Sequence, residues 1–171
     1  NWTPANMSDV SVADGHISAT FTQNPASLNS PASLTIDTRY VRSIVVSLMN
    51  DSNANGLDLY WITTADATWD ETKSVHLALT PYASNYEKYV FDLWDNPEWT
   101  GTVTQLRIVP GRLCGGGSLS GTTYINYIRV TDGLFTPDVS DTEALPMNWL
   151  PLALALLMAV PSRLFHYCYI V

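Results

Sequence analysis

Along most of this chain, apolar side chains recur at every second position in short runs, each closed by Gly, Pro, Asn or Asp. A strand sends successive side chains to opposite faces, so this alternation marks strands half buried against a core. In the segment 42–49, Ile44, Val46 and Leu48 share one face, and Val45, Ser47 and Met49 share the other. Val75, Leu77 and Leu79 repeat the rule against Ser74, His76 and Ala78, and Leu57, Leu59 and Trp61 alternate likewise. Val103 and Gln105 have one parity and Leu106 and Ile108 the other, so register decides whether Thr104 or Arg107 faces outward. The pattern predicts strands near 9–13, 16–22, 33–37, 42–49, 57–63, 73–79, 87–93, 103–109 and 123–130. No period of 3.6 residues is sustained before Pro146. Short strands at roughly ten-residue spacing describe an all-β sandwich of about eight or nine antiparallel strands.

The turns agree with this reading. Asp14-Gly15, set between Val10/Val12 and Ile17/Ala19, predicts a two-residue hairpin, because both residues tolerate positive φ. Residues 51–56 form a longer polar connection, and 111–121 form a Gly/Ser-rich loop. The last predicted strand ends at Thr131-Asp132-Gly133, which divides the chain into a β-sandwich over 1–132, an acidic linker over 133–144 and a hydrophobic tail over 145–171. Residues 144–162 carry no charge before Arg163, a run long enough to span a thin hydrocarbon layer as an apolar helix. A membrane segment or a sorting signal is the first expectation for the tail, with a helix buried against a partner chain as the other. The domain is then expected outside the cell or at its surface, and a homo-oligomer is admitted.

Charge removes one class of partner. Sixteen acidic residues against eight basic ones, with a formal charge of −8, leave nothing to neutralise a row of phosphates, so nucleic acid is excluded. Cys114 stands beside three glycines and Cys168 beyond the apolar run; the two are expected not to pair, and they do not settle the redox compartment. Sequons at Asn1, Asn6 and Asn50 would mark a glycoprotein in a eukaryotic secretory pathway, although a Ser/Thr/Asn-rich chain produces such triplets by chance.

Catalysis finds little support. His16, His76 and His166 show no metal-ligand spacing, and no nucleophile elbow, phosphate loop or dinucleotide fingerprint is present. Asp70 and Glu71 are adjacent and point to opposite sides if extended, unlike a hydrolytic carboxylate pair. The expectation is a protein that is not an enzyme and has no catalytic residues.

Several phrases, in order, resemble the galactose-binding-domain-like jelly rolls found among carbohydrate-binding modules of secreted and surface proteins. They are Trp2 with 10–15, Ser30-Pro31 leading into 34–37, Tyr40 before 44–46, Leu59-Tyr60-Trp61 followed by Trp69-Asp70-Glu71 and 73–75, then 89–92, Trp99-Thr100-Gly101, 106–108 with Pro110, and 125–129. The resemblance covers about 2–130. It implies a non-catalytic sandwich, sometimes with a structural calcium ion. Asn24, Val109 and Asn126 stand where such proteins often carry Asp, and a hard cation wants carboxylates, so a calcium site is disfavoured and no cofactor or metal is expected.

Sugar recognition needs an aromatic plate flanked by groups that bond hydroxyls. Trp69 sits in the polar connection 65–72 with no apolar alternation to bury it, next to Asp70 and Glu71, and Trp94 lies in a second aromatic-acidic loop. Tyr60 adds a plate on a strand. Arg107, opposite the core, can hold a carboxylate or a sugar hydroxyl, or pair with Asp58 or Asp92 on a neighbouring strand. Trp61 is assigned to the core by its period, and Trp99 to a structural role. The candidate ligand-binding residues are therefore Trp69, Asp70, Glu71, Trp94, Arg107 and Tyr60. The function expected is an extracellular carbohydrate-binding module that binds polysaccharide or glycan and is held at the cell surface through a membrane tail. The alternatives are a self-assembling surface or filament subunit, and an accessory module of a glycan-degrading enzyme.

Overall fold

The computed structural model describes residues 2–132. They form eleven strands: β1 (Thr3–Ala5), β2 (Met7–Ala13), β3 (His16–Phe21), β4 (Ala26–Asn29), β5 (Ile36–Asp37), β6 (Ser43–Ser52), β7 (Gly56–Thr63), β8 (Ser74–Ala78), β9 (Glu87–Asp92), β10 (Thr102–Arg112) and β11 (Gly121–Thr131). They make two antiparallel sheets. The first runs β1-β4-β10-β7-β8, with β5 also on β10, and the second runs β2-β3-β11-β6-β9. Neighbours within a sheet come from distant parts of the chain, and the path changes sheet from β6 to β7, from β8 to β9 and at each strand thereafter, as in a jelly roll.

All nine expected strands are present, and β1 and β4 add to them. β4 buries Ala26 and Leu28 and turns Ser27 and Asn29 away, but two apolar positions between prolines give too short a pattern to read. The helix expected after the sandwich finds no support. The linker over 133–144 and the tail over 145–171 lie outside the described residues, whose one helical element is a 3₁₀ turn at Glu71–Lys73. No helix among the described residues is long and apolar enough to cross a membrane.

The Asp14-Gly15 hairpin forms as expected, with φ of 51° and 79° at its two central residues and Ala13 opposite His16. The parity break in β10 is a bulge between Val103 and Gln105, which brings Val103, Leu106 and Ile108 all to the core and sends Arg107 outward. A second shift between Val109 and Arg112 accommodates Pro110, which has no amide hydrogen for the ladder. There Gly111 lies so close to the neighbouring strand that an added Cβ would stand 2.8 Å from both Ala26 Cβ and the Phe21 ring.

Between the sheets, Leu57, Leu59 and Trp61 of β7 meet Ile44, Val46 and Leu48 of β6 and Phe91 of β9, all fully buried. Trp61 and Trp99 pack edge to face at 5.1 Å, and their indole N–H groups donate to Glu98 O (3.1 Å) and Val41 O (2.8 Å). Both tryptophans are structural, as their positions in the sequence suggest. Cys114 is disulfide-bonded, which its loop setting did not signal. Asn50 is fully buried with its amide nitrogen donating to Ala54 O and Thr80 O, so the folded site cannot accept a glycan; Asn6 is exposed, and Asn1 lies outside the described residues.

Candidate functional site

Alternation puts a polar row on the outer face of the first sheet. Asn29 of β4 pairs with Arg107 of β10, Arg107 with Tyr60 of β7, and Tyr60 with Ser74 of β8, so four outward side chains cross the sheet in register. The next outward row holds Val109, Asp58 and His76. Beside these rows stands the connection from β7 to β8, which carries Trp69 and Glu71.

That connection is fastened from below. Lys73 is buried, at 3% exposure, and its Nζ donates to Thr68 O (2.5 Å) and Asp66 O (3.3 Å) and pairs with Asp66 Oδ2 at 2.8 Å. Asp66 Oδ1 accepts from Thr68 N and Oγ1, and these bonds with Lys73 hold its carboxyl well below the usual carboxylate range. Asp70 caps the 3₁₀ turn by accepting from Thr72 N (2.8 Å) and Oγ1 (2.7 Å). Trp69 is thus half buried on an anchored loop, and the Arg107 guanidinium lies 4.1 Å from its ring centre. Arg107 Nε donates to Asn29 Oδ1 at 2.7 Å, which sets the plane of the fork.

The neighbouring row closes a ring of charges. His76 Nδ1 faces Asp58 Oδ1 at 2.9 Å and its Nε2 faces Glu71 Oε1 at 2.7 Å. Tyr60 OH donates to Glu71 Oε2 (3.0 Å) and accepts from Arg112 Nη2 (3.4 Å), while Arg112 Nε meets Asp58 Oδ2 at 2.8 Å. Asp58 is 1% exposed and Arg112 14%. The hydrogen bond to Asp58 and the two carboxylate charges raise the pKa of His76. Burial, with the charges of Asp58 and Glu71, pushes the Tyr60 phenol up to about 12, so it stays a neutral donor.

This ring is occupied internally. Ser74 Oγ lies 3.0 Å from His76 Nε2, and His76 touches Asp58, which is the contact order of a hydrolytic triad. Yet Ser74 Oγ donates its proton to Glu71 O at 2.6 Å, and Nε2 is already aimed at the Glu71 carboxylate, so no base faces the hydroxyl. Asp58 and Glu71 are each bound by cations or a phenol, so neither can serve as a free general acid or base. Among the described residues no cluster of three or more His, Cys, Asp or Glu side chains is arranged to hold a metal ion.

Four of the six candidates meet here: Tyr60, Trp69, Glu71 and Arg107 share the outer face, with Asp70 at its margin as a cap. Trp94 does not join them. It is 58% exposed at the start of the connection after β9, in the other sheet, with the Arg42 guanidinium 3.9 Å from its ring centre. Arg107 pairs with neither Asp58 nor Asp92, because Arg112 and His76 take Asp58 and Asp92 lies on β9 in the other sheet. Sequence reasoning missed Asn29, His76, Arg112 and Lys73 as parts of the site. The parity of Asp58 with Tyr60 and of Ser74 with His76 carried the signal for one row, and nothing local marks Lys73 as buried. A cavity of about 620 Å³ lies elsewhere, lined mainly by apolar groups including Trp2, Leu34, Ile36 and Val130, and it offers little to a hydroxyl-rich ligand.

No protein-family profile matches the chain, and no curated protein sequence matches it either. Solved structures do share its fold. A carbohydrate-binding module of family 28, described as specific for non-crystalline cellulose, aligns at 10% identity over 76% of this chain and 87% of its own, with a TM-score of 0.51. The family 11 carbohydrate-binding module of the cellulosomal cellulase Lic26A-Cel5E of Clostridium thermocellum aligns at 9% identity over 77% and 87%, also at 0.51. A glycoside hydrolase domain structure, Endo-D from Streptococcus pneumoniae R6, aligns at 11% identity over 78% of this chain but 22% of its own, at 0.51. The chain therefore has the jelly-roll sandwich fold seen in carbohydrate-binding modules.

Proposed function

We propose that this chain is a non-catalytic carbohydrate-binding module and that the outer face of the β4-β10-β7-β8 sheet is its binding face. The observation that carries the reading is the placement of Trp69 on an anchored loop against Arg107, in line with Tyr60 and Asn29. An indole and a phenol cover the apolar faces of pyranose rings, while Arg107, Asn29 and Glu71 bond hydroxyls. Both plates are rigid before a ligand arrives, which lowers the ordering cost of binding. The shared fold supports the same reading, as does the commitment of every carboxylate in the ring to a cation or phenol. Asp70 acts through the loop it caps. Trp94, backed by Arg42, offers a separate plate on the other sheet.

The setting we propose is extracellular or at the cell surface, with residues 145–171 as a membrane or sorting segment and no cofactor required. A glycan array probed with the full chain and its Trp69→Ala and Trp94→Ala variants tests the function. Saturable binding lost in Trp69→Ala supports it; binding to no glycan, with ordered polymers of the chain in solution, supports a self-assembling subunit instead. Detergent partitioning of the full chain tests the tail.

A further inference from the structure

The first sheet and its loops carry four sheltered basic side chains, and three of them have carboxylate partners. Lys73 has Asp66, Arg112 has Asp58, and His76 has Asp58 and Glu71. Arg107 is the fourth. It is half buried, it makes one side-chain hydrogen bond, to the neutral amide of Asn29, and no carboxylate lies within ion-pair distance of it among the described residues. Among the described residues, the other lysine and arginine side chains without a carboxylate, Arg42, Lys88 and Arg129, are all exposed, where water solvates the charge.

A guanidinium partly withdrawn from water without a counter-ion is costly unless something supplies the missing charge. Burial accordingly lowers the pKa of Arg107. Within the row and ring, Asp58 faces Arg112 and His76 while Glu71 faces His76 and Tyr60, so neither carboxylate is turned to Arg107. Its Nε is spent on Asn29 and its central carbon lies 4.1 Å from the Trp69 ring centre, so two contacts position the fork while neither Nη group has a hydrogen-bond partner among the described residues. A planar fork held in this way matches the two oxygens of a carboxylate. The net charge of −8 does not forbid such a ligand, because at physiological ionic strength charges beyond about 8 Å are largely screened.

Resting on the glycan-binding reading above, we propose that the ligand is a carboxylated polysaccharide, and that Arg107 receives the carboxylate of a uronic acid residue whose ring lies along the Trp69 and Tyr60 row. Arg107 then determines specificity between acidic and neutral glycans.

The test uses the full chain against polygalacturonate, alginate and glucuronoxylan, each beside its carboxyl-reduced form, with neutral β-glucan and xylan alongside. The expected result is binding to at least one acidic polymer at least tenfold tighter than to its reduced form. Arg107→Gln removes that preference, and Arg107→Lys keeps part of it, since the charge stays while the fork is lost. Equal binding to acidic and reduced forms, or an acidic preference unchanged in Arg107→Gln, overturns the inference and leaves the glycan-binding reading in place. Binding to no polymer overturns both. Should Arg107→Gln fail to fold, carboxyl reduction of the polymer, which leaves the protein untouched, still decides.

Discussion

Asp58→Asn isolates the ring of charges beneath the proposed binding face. Asp58 is 1% exposed and holds two cations, Arg112 at 2.8 Å and His76 at 2.9 Å, which are themselves 14% and 26% exposed. Removing one partner of a buried pair costs about 3–5 kcal/mol, because the other charge is left without compensation. The amide still offers a hydrogen-bond acceptor and His76 keeps Glu71, so the lower end, about 3 kcal/mol, is expected. For a domain of this size that lowers the melting temperature by roughly 10 °C. The cost depends on pH. Asp58 raises the pKa of His76 above 6.5, so this part of the stability is complete below that value and is lost as pH rises through the higher folded value. Denaturant unfolding of the wild type and variant at pH 5.5 and pH 9 reads both quantities, and the gap between them narrows at pH 9 while the Arg112 contribution persists. A triple change, Asp58→Leu with Arg112→Met and His76→Phe, removes all three charges together and returns stability to within about 1 kcal/mol of wild type. An Asp58→Asn cost below about 0.5 kcal/mol, or a gap that widens with pH, refutes the reasoning.

Three further outcomes follow from the same contacts. Lys73→Met releases Thr68 O and the Asp66 carboxylate, so hydrogen exchange across 66–70 speeds up and glycan affinity falls about tenfold, for a stability loss of about 1–2 kcal/mol. Gly111→Val drives a side chain into Ala26 and Phe21 and costs about 1–3 kcal/mol or more in thermal unfolding. Chelation with EDTA leaves both melting temperature and glycan binding unchanged, since no described side chains form a metal cluster; a calcium-dependent loss contradicts this.

The sandwich was legible because period two survives wherever a strand buries one face, as at Ile44, Val46 and Leu48 or at Leu57, Leu59 and Trp61. Even the parity break between Val103 and Leu106 was visible, although reading it as a bulge needed the partner strand. β1 and β4 escaped because a strand of three or four residues, with a proline inside β1 and prolines on either side of β4, carries too few alternations. Of the site, Trp69, Glu71, Tyr60 and Arg107 were legible as outward or loop residues. Their company was not, because it depends on cross-strand register: Asn29 lies 78 residues from Arg107 in sequence yet bonds to it. Trp94 looked equivalent to Trp69, since both sit in aromatic-acidic loops, and only the assignment of strands to sheets separates them.

The proposed function stands or falls with glycan docking across the outer face of the β4-β10-β7-β8 sheet. An NMR titration of the full chain with an oligosaccharide of the glycan retained on the array tests it most directly, through the indole N–H signals of Trp61, Trp69, Trp94 and Trp99 and the Arg107 Nε–H signal. Saturable shifts at Trp69 and Arg107 are expected, with the buried Trp61 and Trp99 nearly still. Shifts confined to Trp94 and the opposite sheet, or to the apolar cavity at Trp2, would contradict it.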